Sequence, residues 1–362
     1  MSSNHENTSF LLGSYTTEDQ AGRAKGIYLC SWNQKQGRLS EPRLLAESSN
    51  PSYLATHPNR RFLYAVNEDR SGAVTAFSIA QDAEGEIALK KLNSQSTGGI
   101  WPCYISLDNS GRFVFVANYG SGSVLVYPIL ADGSLGSASD HHVHKGSGPH
   151  PRRQESPHAH MILQLPDSSK VYVVDLTLDM LVAYDFDVLK GKLLPLGPNH
   201  DVVLAPAAGP RHFVWGKKTS HLYVADELDG TVAVLEIRNG AIGRLVQTLK
   251  SVADSATGDA MSAGIRMHPQ GGFLYVSHRA EQNDIAVFSV NANDGTLQFV
   301  SRHGSEGTAP RDFVIDSSGQ YLIVANQHSD TIHVFEIDQK SGALSKSVQT
   351  LHVPTVVNLL QF

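Results

Sequence analysis

Leu63-Tyr64-Ala65-Val66-Asn67 is a phrase that this chain repeats with small changes of spelling. It returns as Val114-Phe115-Val116-Ala117-Asn118, Val171-Tyr172-Val173-Val174-Asp175 and Leu222-Tyr223-Val224-Ala225-Asp226. Two further copies are Leu274-Tyr275-Val276-Ser277-His278 and Leu322-Ile323-Val324-Ala325-Asn326. Their last residues stand at 67, 118, 175, 226, 278 and 326, in steps of 51, 57, 51, 52 and 48. Self-similarity at a period of roughly 40–50 residues is the mark of a propeller or a solenoid.

The surroundings of each copy repeat as well. A short apolar segment precedes it, opened by a small residue or Pro, as in Pro51-Ser52-Tyr53-Leu54 and Pro310-Arg311-Asp312-Phe313. An alternating stretch follows it, as in residues 72–79 and 330–337, and then a weaker one after a Gly-containing turn. Alternation over four to eight residues between turn signals reads as half-buried strand. Four strands per period make the blade of a propeller. Six copies are complete. Pro354 to Leu359 reads as the first strand of a seventh, and Phe10 to Ser14 as its second. Residues 26–32 and 44–46 supply the third and fourth. The expectation is an all-β, seven-bladed propeller with four antiparallel strands per blade, closed by one composite blade of N- and C-terminal strands. Residues 1–8 are read as a polar tail and 9–362 as one domain. An open solenoid would leave both half-blades unpaired, and bare edges invite aggregation.

Composition narrows the function. The chain has 362 residues, with 35 acidic against 29 basic side chains, and lacks the excess of positive charge that a nucleic-acid binder carries. No uncharged apolar stretch approaches the roughly 18 residues that span a bilayer. Residues 1–7 carry no basic-then-apolar leader, and two cysteines make no disulfide framework. A cytoplasmic protein is expected, with neither nucleic-acid nor membrane partners. Oligomeric state is left open.

In a propeller the start of the first strand and the end of the second meet at one face. Polar residues at those positions therefore converge on one mouth. They include His158, His160, Arg211, His212, Arg266, Arg311 and Asp312 from first strands. Second strands contribute Glu68, Asn118, Tyr119, Asp175, Glu227, Arg279 and Asn326, and the composite blade Ser14 and Tyr15. Concave sites with a few convergent polar groups are where ligands bind. Strand-ending Asn and Asp residues also serve as turn formers. Glu227 has two readings, a structural partner of Arg211 or a catalytic group. Burying Arg211, Arg279 and Arg311 is costly unless they are paired or meet an anion. Residues 141–160 hold six histidines with Arg152, Arg153 and Glu155 and read as a long loop over the mouth. Of His158 and His160, His160 is favoured as the one that points inward. A metal reading of the loop is weaker, for no second cluster has ligand spacing. With no nucleophile elbow and no phosphate-cradling glycine loop, His, Glu and Arg suit general acid–base chemistry on an anion.

Several segments together resemble the lactonase family of seven-bladed propellers. They are Gly209-Pro210-Arg211-His212 with Tyr223 to Leu228, Arg153 to His160, and Ala309 to Phe313. The resemblance runs from about residue 9 to the end. It implies hydrolysis of a sugar lactone, 6-phosphogluconolactone first, without metal or other cofactor. It also implies site positions at His158 or His160, Arg211, Glu227 and Arg279. The resulting expectation has water activated by His160 or Glu227, with Arg211 and Arg279 on the oxyanion and the substrate anion. His158, Arg311, Asn118, Glu68 and Asn326 are expected to bind a small anionic lactone. Related alternatives are a lactonising cyclase of the carboxy-cis,cis-muconate type and a non-enzymatic binding platform. Three departures from the family pattern fall at the expected mouth: Tyr104, Gly264 and the segment 278–282.

Overall fold

The computed structural model describes residues 8–83, 85–217, 220–255 and 258–362. Among them the strands form seven antiparallel sheets. Six are consecutive four-strand meanders, although the third, from Ala159–Gln164 to Val202–Val203, splits its outer edge into two short strands. The seventh begins with Val356–Gln361 and continues through Ser9–Ser14 and Gly26–Asn33 to Arg43–Glu47. The composite closure is thus the one expected, strand for strand. Phe10 faces Gln361, Leu11 faces Leu360 and Leu12 faces Leu359. The expected tail, residues 1–8, lies outside the described residues except for Thr8.

The repeated phrase is the second strand of each blade. Its residues are buried from end to end, as in Phe62–Asn67 and Tyr321–Asn326. Each blade is covered on both faces by its neighbours, so these strands read as continuous apolar runs rather than alternating ones. The tyrosines also tie blade to blade. Tyr64, Tyr223 and Tyr275 donate their hydroxyls to the carbonyls of Gly133, Gly295 and Gly342 in the next blade at 2.8–3.0 Å. The first strands touch one another in order round a closed ring, from Leu54–Thr56 to Val356–Gln361 and back. Helical structure among the described residues is one turn, Glu18–Gln20. No helix is long and apolar enough to cross a membrane.

Candidate active site

A cavity of about 350 Å³ opens at one end of the ring. Three backbone devices, repeated from blade to blade, aim its side chains. The first is a register shift near the start of the inner strand. Pro102 pairs with Asn118 while Tyr104 pairs with Ala117, so Cys103 is left over. In the same way His160 lies between paired Ala159 and Met161, Arg211 between Pro210 and His212, and Arg311 between Pro310 and Asp312. A bulged residue is unpaired and its side chain is re-aimed. Cys103, His160 and Arg311 line the cavity, and Arg211 lines the narrow channel beneath it.

The second device is the residue immediately after each second strand. Tyr15, Glu68, Tyr119, Glu227 and Arg279 occupy that position and line the cavity. Their backbone N–H groups donate to the carbonyl just before the neighbouring inner strand: Glu68 to Asn50 at 3.0 Å, Tyr119 to Trp101 at 2.9 Å, Glu227 to Gly209 at 2.7 Å. Tyr15 and Arg279 do the same with Thr355 and Met261. The third is the residue that supplies this carbonyl, which places Trp101 and Met261 in the wall.

Glu227, buried, gathers three guanidinium groups. Its Oε1 accepts from Arg153 Nη2 at 2.5 Å. Its Oε2 lies 3.0 Å from both Arg211 Nε and Arg279 Nη2. The Arg211 contact is an ion pair without hydrogen-bond alignment; its Nη1 donates instead to the Ala263 carbonyl at 2.7 Å. Burial would raise the Glu227 carboxyl, but Arg279, Arg153 and Arg211 together hold it far below the usual carboxylate range. Burial, with Arg211, Arg311 and Arg153 nearby, pushes the Arg279 guanidinium down to about 10, against the pull of Glu227. Glu68 differs. It accepts from Ser52 Oγ and stands 3.7 Å from Arg311 Nη2, and burial pushes its carboxyl up despite that arginine. The Arg311 guanidinium lies over the ring of Tyr15, 5.2 Å from its centroid.

His160 is buried, and its Nδ1 has no partner among the described residues. Burial first, then Arg211 and Arg311, keep the ring neutral, with its pKa well below 6.5. His212, 5.0 Å away edge to face, is kept neutral by burial and by Arg211.

Not every expected residue arrives at the cavity. His158 stacks on Tyr119 at 4.2 Å, and its Nδ1 meets the Tyr119 carbonyl at 2.9 Å, so it supports the wall from behind. Asn118 and Asn326 are buried, away from the cavity. Their Nδ2 groups donate to the carbonyls of Thr97 and Ser305, in the connections between blades. The last residue of the second strand turns its side chain to that connection, and the next residue carries the chemistry. The histidine-rich segment is also corrected. Asp140–Val143 is an outer strand, so His141 and His142 are far from the axis. His144 bridges Asp175 and Tyr184 at 2.6 and 3.0 Å. What the following loop delivers to the cavity is Arg153. Its signal in the sequence was its place beside Glu155 in the family-like segment. Trp101 and Met261 carried no such signal.

Among the described residues no group of three His, Cys, Asp or Glu side chains is placed to hold a metal. A larger hollow, about 720 Å³, lies on the outer edge of the composite blade around Trp32 and Leu39. It gathers mostly neutral polar side chains with Lys35 and Arg38 and has no carboxylate or imidazole for acid–base work.

Comparison with known proteins agrees with this fold. The family model for the lactonase, 7-bladed beta-propeller, matches residues 9–361. A 6-phosphogluconolactonase of Bacillus subtilis is 38% identical over 95% of each chain. One from Formosa agariphila is 32% identical over 97% of this chain and 98% of its own. The solved structure of a periplasmic gluconolactonase from Pseudomonas aeruginosa superposes with a TM-score of 0.90 at 32% identity, covering 98% of both chains. The chain belongs to the lactonase family of seven-bladed β-propellers.

Proposed function

We propose that this protein hydrolyses an anionic sugar δ-lactone, first of all 6-phosphogluconolactone, at the cavity around His160. One observation carries the reading: a neutral imidazole in the cavity wall beside a guanidinium cluster that one carboxylate holds together. Four guanidiniums, those of Arg153, Arg211, Arg279 and Arg311, meet two buried carboxylates, Glu68 and Glu227, deep in the site, while the third, Asp312, is taken up by Arg266. An anionic ligand supplies the missing negative charge. Asp19 and Asp259 lie nearer the rim and are more exposed.

In this mechanism His160 takes a proton from water while the water oxygen attacks the lactone carbonyl. Negative charge gathers on the carbonyl oxygen, where the Arg279 guanidinium, oriented by Glu227, stabilises it. A preorganised donor of this kind lowers the barrier by about 3–4 kcal/mol. The ring C–O bond then breaks, and protonated His160 returns its proton to the leaving oxygen. Arg153 and Arg311 flank the cavity and suit the distal anion. Arg211, beneath the floor, fixes Glu227 and keeps His160 neutral. Glu227 itself is a poor base, because three cations stabilise its ionised form. It is the holder of the arginines. A phosphorylated substrate fits a cytoplasmic protein, since charged sugar phosphates do not cross bilayers unaided.

The test is the rate of opening of fresh 6-phosphoglucono-δ-lactone, with a chelator present, against the spontaneous rate. Expected is chelator-resistant acceleration that falls at least about 100-fold in Arg279→Ala, from loss of the oxyanion donor. D-glucono-δ-lactone in parallel reads the phosphate requirement. No acceleration of either lactone would sink the proposal.

A further inference from the structure

The carbonyls that pin the cavity side chains come from an uncommon backbone. In six blades the residue supplying that carbonyl has positive φ: Asn50 at 38°, Trp101 at 54°, Gly209 at 63°, Met261 at 56°, Ala309 at 59° and Thr355 at 38°. Glycine and asparagine suit this left-handed region, and bulky side chains seldom occupy it. Four of the six positions hold Asn, Gly, Ala or Thr. Trp101 and Met261 are the large ones, and both line the cavity. Residues kept in sparsely populated backbone regions cluster at ligand clamps, where their surroundings over-determine them.

The surroundings of Trp101 do so. Its N–H donates to the Asp69 carbonyl and its carbonyl accepts from Tyr119, both at 2.9 Å. Gly120 leaves room for the indole: a Cβ there would stand 2.8 Å from Trp101 Cε3. The Arg70 guanidinium lies over the ring, 5.4 Å from its centroid, and is not itself part of the cavity wall. The indole is therefore held in place before any ligand arrives, and preorganisation of this kind strengthens binding.

We infer that Trp101 is a specificity-determining wall that seats the face of a six-membered sugar ring, while the arginines take the ring's anionic substituent. The inference rests on the lactone reading above and deepens it. A ring whose hydroxyls are equatorial shows C–H groups on both faces, and an indole offers a broad flat apolar surface to meet them. A bare phosphate or an open-chain acid engages the arginines without using the wall.

Two measurements test this. The chain has three tryptophans, so Trp32→Phe with Trp215→Phe leaves Trp101 as the sole indole emitter. Titration with glucose 6-phosphate, a ring with an anion but no lactone to open, should shift or quench its emission. Inorganic phosphate at equal concentration should leave the emission unchanged. Equal responses to the two, or none to glucose 6-phosphate, would overturn the wall. In the second measurement Trp101→Asn suits the left-handed backbone and Trp101→Phe keeps a flat ring. The Asn variant should raise KM for the lactone about tenfold, equivalent to ~1.4 kcal/mol, with kcat within about twofold, the pattern of lost uniform binding. The Phe variant should recover most of the affinity. An unchanged KM in a folded Asn variant would overturn the inference. If the wild-type chain opens no lactone, the functional reading fails, and the emission titration still decides the wall.

Discussion

At the scale of single residues, the cavity is governed by how charge is held in a buried place. Glu227 is the clearest case. Removing one partner of a buried ion pair costs about 3–5 kcal/mol, because the charges left behind have no counter-ion. Glu227→Gln leaves Arg211 and Arg279 in that condition, and Arg153 with only Asp259, 3.7 Å away. The variant should melt well below the wild type, and added phosphate should raise its Tm more than it raises the wild type's, by supplying the missing charge. Thermal melts with and without phosphate check this; an unshifted Tm would mean that the clamp has no structural role. His160 gives the complementary case. Its folded pKa lies below the value of about 6.5 for a free imidazole, so between the two the unfolded chain binds the extra proton. Its contribution to stability is whole above pH 6.5 and is lost as pH falls through that window. The same neutral form is the base. The acid limb of kcat/KM, which reports the free enzyme, should therefore fall below pH 6.5 and disappear in His160→Asn along with most of the activity. A limb centred at 7 or above would assign the base elsewhere.

At the scale of the strand, the sequence showed the elements but not their irregularities. The apolar runs and turn glycines located every second strand to within a residue, and of His158 and His160 it is His160 that lines the cavity. Simple alternation would put residues 158 and 160 on one face; what separates them is that His160 is the unpaired residue of a bulge between Ala159 and Met161. The same bulge recurs at Cys103, Arg211 and Arg311. Bulges have no dependable spelling, so convergence could be inferred only to the nearest residue. That is why Asn118 was expected in the site when Tyr119, one position later, is the residue that faces it; after Asn326 the next residue, Gln327, is not in the cavity wall either. An Asn at a strand end can seal a connection or meet a ligand, and the choice depends on which way the last peptide turns. Arg153 was hidden for another reason. It reaches Glu227 across 74 positions of sequence from a loop with no repeat to anchor it. Trp101 was less legible still, since its importance lies in a positive φ that its residue type argues against.

At the scale of the molecule, closure decides whether any of these placements survive. The ring was legible from both termini, because Phe10 to Ser14 and Pro354 to Leu359 each read as strands lacking partners within their own half of the chain. Val356–Gln361 is the innermost strand of the composite blade and pairs along Ser9–Ser14. It also completes a joint between blades. Asp312 Oδ2 accepts from Asn358 Nδ2 at 2.8 Å and from the Leu359 N–H at 3.1 Å, while Oδ1 accepts from Arg266 at 2.6 Å. Deleting residues 356–362 would strip Asp312 of two partners in a buried setting, each unmade bond costing about 1–3 kcal/mol. It would also expose the apolar faces of Leu12, Val353 and Ile323, packed in one cluster with Leu359, and leave Ser9–Ser14 as a bare edge. These losses compare with the 5–15 kcal/mol that holds a typical domain together. The truncated chain should therefore lose cooperative melting and self-associate, rather than fray at one blade with the cavity intact. Calorimetry and light scattering on the two proteins decide it. A truncated protein that scatters light as the full-length chain does, melts cooperatively and keeps whatever lactone-opening rate the full-length chain has would show that the other six blades hold the cavity without the ring being closed.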